Sequence, residues 1–342
     1  MHHITAVQGV VQNNMELLTA LADRRAKPVT PLLFNGWKVF MQKHDLVDKY
    51  PTVLSTLQQG AIIGIPHIRN SFSPINKPSI ELYSEQFQSI IQREYSTRRQ
   101  LGPFTQAQLE AVIGPFQTSP LSIIPKANKL GKFRLIQDFS FPRSPTSPIL
   151  SVNASLDSTL YPCTWGTFST MALCISRLPH GSQAAARDEA EAYRTIPLHP
   201  SQWKGTVVRV DNDAFNIDTC LAFGLTPSAG VYGACADAAN DIMHAEGISP
   251  IIKWVNDRVF FRIPVSALAD FNVDRARLHK QIINNGARHH DQGHWWYQAG
   301  HLSNGCIIEC DEDMSSQLKD LSRTSPRLDY EAQFTYGMND IN

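Results

Sequence analysis

Apolar positions recur at helical spacing along several stretches of the chain. Phe87, Ile90 and Ile91 predict a helix over Ser84–Arg98. Leu109, Val112 and Ile113 predict the next one. Thr105 can cap it, Gln108 stands three residues on as in a capping box, and Gly114 ends it. Phe168–Arg177 reads as a third helix. Val231, Cys235, Ala238 and Ile242 share one face of a fourth, between Thr226 as N-cap, Pro227 at the first helical position and Gly247 at the end. Ser266–Asn285 is also helical in pattern. Shorter runs read as hairpins. These are Pro120–Lys126 with Lys132–Phe139 around Asn128–Gly131, and Thr206–Val210 with Phe215–Ile217. A third joins Ile251–Val255 to Arg258–Ile263 around Asn256–Asp257. Gln183–Tyr193 mixes strand and helix signals. Prolines break residues 1–80 into short helices near Met15–Asp23 and Val53–Gln59. Phe141–Ile149 is a Pro-rich loop, and the stretch from Gly300 is acidic and loop-rich. Irregular alternation with several hairpins predicts an α+β fold over a doubly wound parallel sheet.

Composition narrows the class. At 42% hydrophobic and 18% charged residues over 342 positions, the chain is neither intrinsically disordered nor a coiled coil. Lys plus Arg and Asp plus Glu both total 31, so the net charge is zero, which argues against a uniformly basic nucleic-acid-coating protein. The zero is a cancellation. Arg93–Arg143 holds eight basic and three acidic residues, and Glu309–Asn342 holds three basic and eight acidic. No apolar run reaches the ~18 residues of a membrane span. The first thirty residues carry Asn13, Asn14, Glu16, Asp23, Arg24 and Arg25 and no clean apolar block. The expectation is an intracellular protein, cytoplasmic or nuclear and not secreted, with six reduced cysteines.

Four segments stand out in order. Ser119-Pro120-Leu121-Ser122-Ile123-Ile124-Pro125-Lys126 is followed by Gly131-Lys132-Phe133-Arg134-Leu135. Asp188-Glu189-Ala190-Glu191-Ala192-Tyr193-Arg194-Thr195-Ile196-Pro197-Leu198 is next. Phe223-Gly224-Leu225 with Ser228 follows, then Lys253-Trp254-Val255-Asn256-Asp257-Arg258-Val259-Phe260-Phe261. Together they resemble the reverse transcriptase domain of retroelements over roughly residues 115–263. The wording of the second and fourth segments is similar to fungal-type retrotransposon reading frames.

The resemblance implies a polymerase with fingers and palm, the palm a ferredoxin-like split βαβ sheet with helices on one face, and no complete thumb. It implies an N-terminal mixed helical extension over 1–80 and fingers over 81–165 and 196–222. The palm would be 166–195 and 223–299, and 300–342 an acidic tail leading to a missing thumb. The implied chemistry is RNA-directed DNA synthesis on an RNA or DNA template–primer from dNTPs, with no membrane involved. Two hard cations, Mg²⁺ or Mn²⁺, ~3.5–4 Å apart would stabilise the attacking and leaving oxygens, held by carboxylates. By resemblance Asp188 and Asp257 are the metal carboxylates, and Asn256 occupies a catalytic position where the family has aspartate. Tyr193 is the aromatic under the incoming sugar, excluding a 2′-hydroxyl. Lys126 and Arg134 match the triphosphate contacts, and Phe223 and Gly224 the loop approached by nucleotide.

Two departures point to a weakened or inactive polymerase with a degenerate paired-aspartate motif. Asn256 keeps one oxygen, loses a charge and adds NH₂ donors. Glu189 replaces an apolar strand residue, where an unpaired buried carboxylate is costly. Plainer readings stand beside these. Asn256–Asp257 can be an ordinary hairpin turn, and Phe223-Gly224 an ordinary helix start. Ala184–Ala192 can be a helix carrying Asp188 as a solvated acid, Lys126 and Arg134 surface charge, and Tyr193 core. One rival is a non-catalytic nucleic-acid-binding relic of the same fold. Another is an unrelated interaction protein with a zinc-supported C-terminal region. His289, His290, His294, His301, Cys306 and Cys310 are zinc-capable types there, without standard finger spacing.

Overall fold

The computed structural model describes residues 29–127 and 131–267, strands at 287–288 and 307–310, and residues 15, 16, 19 and 20. The chain divides into two compact units of mixed helix and sheet. Unit 1 comprises Met1–Val39, Pro51–Tyr161 and Tyr193–Tyr232; unit 2 comprises Phe40–Tyr50, Pro162–Ala192 and Gly233–Asn342.

Unit 1 holds β1 (Gln100–Phe104), β2 (Leu121–Pro125), β3 (Phe133–Gln137), β6 (Val207–Asp211) and β7 (Ala214–Asp218). The hairpin β2–β3 pairs antiparallel from Leu121↔Gln137 to Pro125↔Phe133. Alternation puts Leu121 and Ile123 on its inner face, where they pack with Ile80, Phe87, Ile91 and Val208. Ile124 and Arg134 face each other in register on the exposed side. The helix Gln106–Ile113 starts with the expected capping box: Gln108 N–H donates to Thr105 Oγ1, and Thr105 N–H donates to Gln108 Oε1. It anchors through Leu109, which is fully buried.

β1, which contains Gly102 and Pro103, was not anticipated. It is an edge strand in the order β1-β7-β6, where proline is tolerated. Gly102 is needed there: a Cβ would lie 2.3 Å from Asn216 Oδ1. The helix Phe34–Lys43 was likewise not anticipated.

In unit 2, β5 (Ser182–Asp188), β8 (Ile251–Trp254), β9 (Asp257–Arg262) and β11 (Ile307–Cys310) form an antiparallel sheet in the order β11-β5-β9-β8. A two-stranded ladder pairs β4 (Thr164–Trp165) with β10 (Ala287–Arg288). The helix Phe168–Arg177 is capped by the Thr167 side chain. It packs Met171, Cys174 and Ile175 against Ala184, Ile252 and Phe261 of the sheet. Small side chains at Ser182, Ala184 and Ala186 face inward on β5, so helix and sheet approach closely.

Four expectations are corrected. Gln183–Asp188 is strand, so the helical reading of Ala184–Ala192 fails. The β8–β9 turn consists of Val255 and Asn256, and Asp257 is the first residue of β9. The long helix runs Ser228–Ala245, starting after Thr226, with the Pro227 carbonyl accepting from Val231 N–H. Ile307–Cys310, in a stretch expected to be loop, is strand. The helix expected over Ser266–Asn285 falls almost wholly outside the described residues, as do His289, His290, His294, His301 and Cys306. Among the described residues, no helix is long and apolar enough to cross a membrane.

Candidate functional site: a carboxylate pair at a hairpin turn

The ends of β5 and β9 bring two carboxylates together. In the antiparallel ladder Asp188 is the register partner of Asp257, and Trp254 pairs with Asp257 across the β8–β9 hairpin. Only two residues close that hairpin. Val255 takes φ +47°, a left-handed conformation that is an outlier for a β-branched residue. Such strain persists only where the surroundings enforce it. Here Glu189 N–H donates to Asn256 O at 2.8 Å. Asn256 Nδ2 donates to Asp188 Oδ1, and at 3.3 Å to Glu189 O. The turn is therefore clamped onto the end of β5.

The electrostatics follow. Asp188 is exposed and Asp257 half-buried. Burial, and then the charge of Asp188, push Asp257 up to about 7. Glu189 is not the unpaired carboxylate the sequence suggested. Its Oε2 is 2.5 Å from Arg258 Nη1, and Arg258 Nε donates to Asn240 Oδ1 at 3.0 Å. Lys253, a residue to which the sequence assigned no role, is buried on β8. Its ammonium pairs with Asp237 at 2.8 Å and lies 4.2 Å from the Trp165 ring centroid. Burial pulls this lysine below its usual range, with Asp237 opposing.

Two facing carboxylates, one raised by burial and by its neighbour's charge, are a donor set that fits a hard divalent cation. The third position offers a neutral amide whose NH₂ is committed to Asp188. Among the described residues, no three His, Cys, Asp or Glu side chains gather as a metal-holding group.

Unit 1 carries the other expected residues. Tyr193 is buried between Phe223, at 4.8 Å between ring centroids, and Tyr232, at 5.5 Å edge-on. Phe223 is 55% exposed, so it presents an open aromatic face above Tyr193. Gly224 follows with φ +89°, and a Cβ there would come within 3.3 Å of Gln137 O at the base of β3. Asn153 staples this loop: its Nδ2 donates to Gly224 O at 2.8 Å and its Oδ1 accepts from Thr226 N–H at 2.9 Å. Lys126 and Arg134 are exposed on the β2–β3 hairpin. The structure thus brings together Asp188, Asn256 and Asp257 in unit 2, and Tyr193, Phe223 and Gly224 in unit 1.

No protein-family model and no curated protein matches the chain. Among solved structures, it is similar to foamy virus protease–reverse transcriptases. The native prototype foamy virus protease–reverse transcriptase matches with TM-score 0.39 at 15% identity, over 80% of this chain and 32% of that one. The foamy viral enzyme in complex with an RNA/DNA hybrid gives TM-score 0.42 at 15% identity, over 81% and 32%. The enzyme in complex with dsDNA gives 0.41 at 16%, over 96% and 62%. The chain spans about a third of the length of the first two.

Proposed function

We propose that this chain is a reverse transcriptase-like protein of retroelement type, with weakened or absent polymerase activity. The fingers would be residues 81–165 and 196–222, and the palm, with a split βαβ sheet, residues 166–195 and 223–299. The observation that carries the reading is the register match of Asp188 with Asp257 beside a strained two-residue turn. The four ordered segments named above support it. Asp188 and Asp257 would hold Mg²⁺ or Mn²⁺, which when bound supplies charge stabilisation to phosphoryl transfer. Asn256 orients the Asp188 carboxylate but contributes no charge. Lys126 and Arg134 neutralise a triphosphate, Phe223 and Gly224 line the nucleotide's approach, and Tyr193 excludes a 2′-hydroxyl. The ligands are then an RNA or DNA template–primer and dNTPs.

Primer extension on an RNA template with Mg²⁺ tests this. The expected result is little or no product from the protein as it stands and a gain with Asn256→Asp. Robust activity without that repair refutes the weakened site. Absence of template–primer binding in both proteins refutes the polymerase ancestry. Asn256 also favours a second reading, a non-catalytic nucleic-acid-binding relic. That reading expects salt-sensitive duplex binding and no product even after repair.

A further inference from the structure

Arg194 is a cation inside an otherwise buried run, Ala192–Leu198. Its Nη1 donates to both Asp218 oxygens, at 2.8 and 2.7 Å, and to the Leu221 carbonyl at 3.2 Å. Its Nη2 donates to Glu94 Oε2 at 2.7 Å. Glu94 in turn accepts from Arg99 Nε at 3.0 Å and Arg99 Nη2 at 3.1 Å. Two cations and two anions thus close a charge-neutral network in the interior of unit 1. Burial alone would lower the Arg194 guanidinium, but Asp218 and Glu94 reverse this and hold it protonated.

The network joins two backbone segments. Leu221 N–H donates to Ile196 O at 2.9 Å, and Leu198 N–H to Thr219 O at 2.7 Å. Arg194 bridges these same segments from its side chain. Tyr193 is next to it on one, and Phe223 lies two residues beyond Leu221 on the other; their rings meet at 4.8 Å. We propose that Arg194 is a positioning residue that fixes Tyr193 against Phe223 and so sets how strictly the site separates deoxyribonucleotides from ribonucleotides. The proposal rests on Tyr193 being the sugar gate. A lysine could keep the charge against Asp218. It could not also reach Glu94 and the Leu221 carbonyl, because its donors radiate from one point instead of a planar fork.

The test uses the full chain with Mg²⁺ and an RNA/DNA template–primer whose primer is chain-terminated, so that nucleotide binds without reacting. Equilibrium affinities for dGTP and GTP opposite a templating cytosine are compared. The wild-type chain favours dGTP, and Tyr193→Ala abolishes the preference. Arg194→Lys reduces it roughly tenfold, the order that a small change in pocket fit produces, while the chain remains folded by circular dichroism. Should Arg194→Lys fail to fold, Glu94→Gln removes one of the two carboxylates gripping Arg194 and is expected to relax the preference in the same direction. A folded Arg194 or Glu94 variant with undiminished preference, alongside a Tyr193→Ala variant that has lost it, overturns the inference alone. A wild-type chain with no preference overturns the gate reading, and the inference falls with it.

Discussion

Replacing Asp257 by asparagine is expected to stabilise the protein at alkaline pH and leave it unchanged in acid. In the folded chain Asp257 is pushed from an ordinary 3.8 up to about 7, first by burial and then by Asp188. The native state therefore holds this proton more tightly than the unfolded chain. Stability falls as pH rises from about 4, where the unfolded carboxyl ionises, to about 7, where the folded one does. Above that the penalty is complete. The gap is worth about 4 kcal/mol at most. Asp257 is only half-buried, so solvent screening reduces this to about 1–2 kcal/mol. Asparagine keeps the shape and sheds the charge. Thermal melts in EDTA at pH 8 should show Asp257→Asn higher by about 2–8 °C, using ~2–4 °C per kcal/mol for a domain of this size. At pH 4 the two proteins should coincide. A constant difference at both pH values, or a loss of stability at pH 8, would refute the argument that burial, and then Asp188, disfavour the Asp257 carboxylate in the folded state. Adding Mg²⁺ at pH 8 gives an independent arm. It should raise the melting temperature of the wild-type chain and do little for the variant.

Asn256→Asp should bind Mg²⁺ about tenfold or more tightly than the parent by calorimetry, since a primary ligand gains a full charge; equal affinity would show that Asn256 is not at the cation. Arg258→Met should cost about 1–3 kcal/mol in urea unfolding, because it removes the guanidinium that pairs with half-buried Glu189 and bonds Asn240; an unchanged midpoint would mean that this ion pair adds nothing to stability. Thr105→Ala should cost about 1 kcal/mol by removing half of the capping box, again read from the unfolding midpoint. Gly60→Ala should cost at least about 3 kcal/mol. Its Cβ would lie 2.4 Å from His199 N on a backbone at φ +92°, and soluble expression near the wild-type level would contradict that contact.

Local chemistry was legible in the sequence; long-range pairing was not. Thr105, Gln108 and Gly114 delimit their helix through bonds within a few residues, and the helix lies where they predict. The β2–β3 hairpin was equally readable, because its two strands adjoin in sequence. By contrast β1 finds its partner 111 residues on at Phe104↔Phe215, and no local pattern encodes that choice. The β8–β9 turn was misplaced by one residue because Asn-Asp is the better turn dipeptide by propensity. The register with β5 overrides it and forces Val255 into the left-handed region. The Glu189–Arg258 ion pair was invisible for the same reason: Arg258 lies 69 residues away. Arg194 could have been found. A guanidinium between Tyr193 and Ile196 in an apolar run must have a buried counter-charge. The sequence signals that need without saying that Asp218 and Glu94 meet it.

On the proposed reading of Asn256 and Asp257, function and stability pull against each other at this turn. An aspartate at 256 would place a third carboxyl beside Asp188 and Asp257, where burial and Asp188 already disfavour the Asp257 charge. It would also remove the donor that satisfies Asp188. Without a cation, that arrangement costs the fold twice, through repulsion and through a lost hydrogen bond. Asparagine relieves both, at the expense of the charge that grips the metal. The amide at 256 is thus the more stable solution for a hairpin with no cation bound, and the carboxylate is the better one when a cation is held. A chain no longer selected for nucleotidyl transfer would drift towards the amide. Comparing Asn256→Asp with the parent, with and without Mg²⁺, separates these two pressures: the variant should melt lower in EDTA and recover the deficit as Mg²⁺ is added.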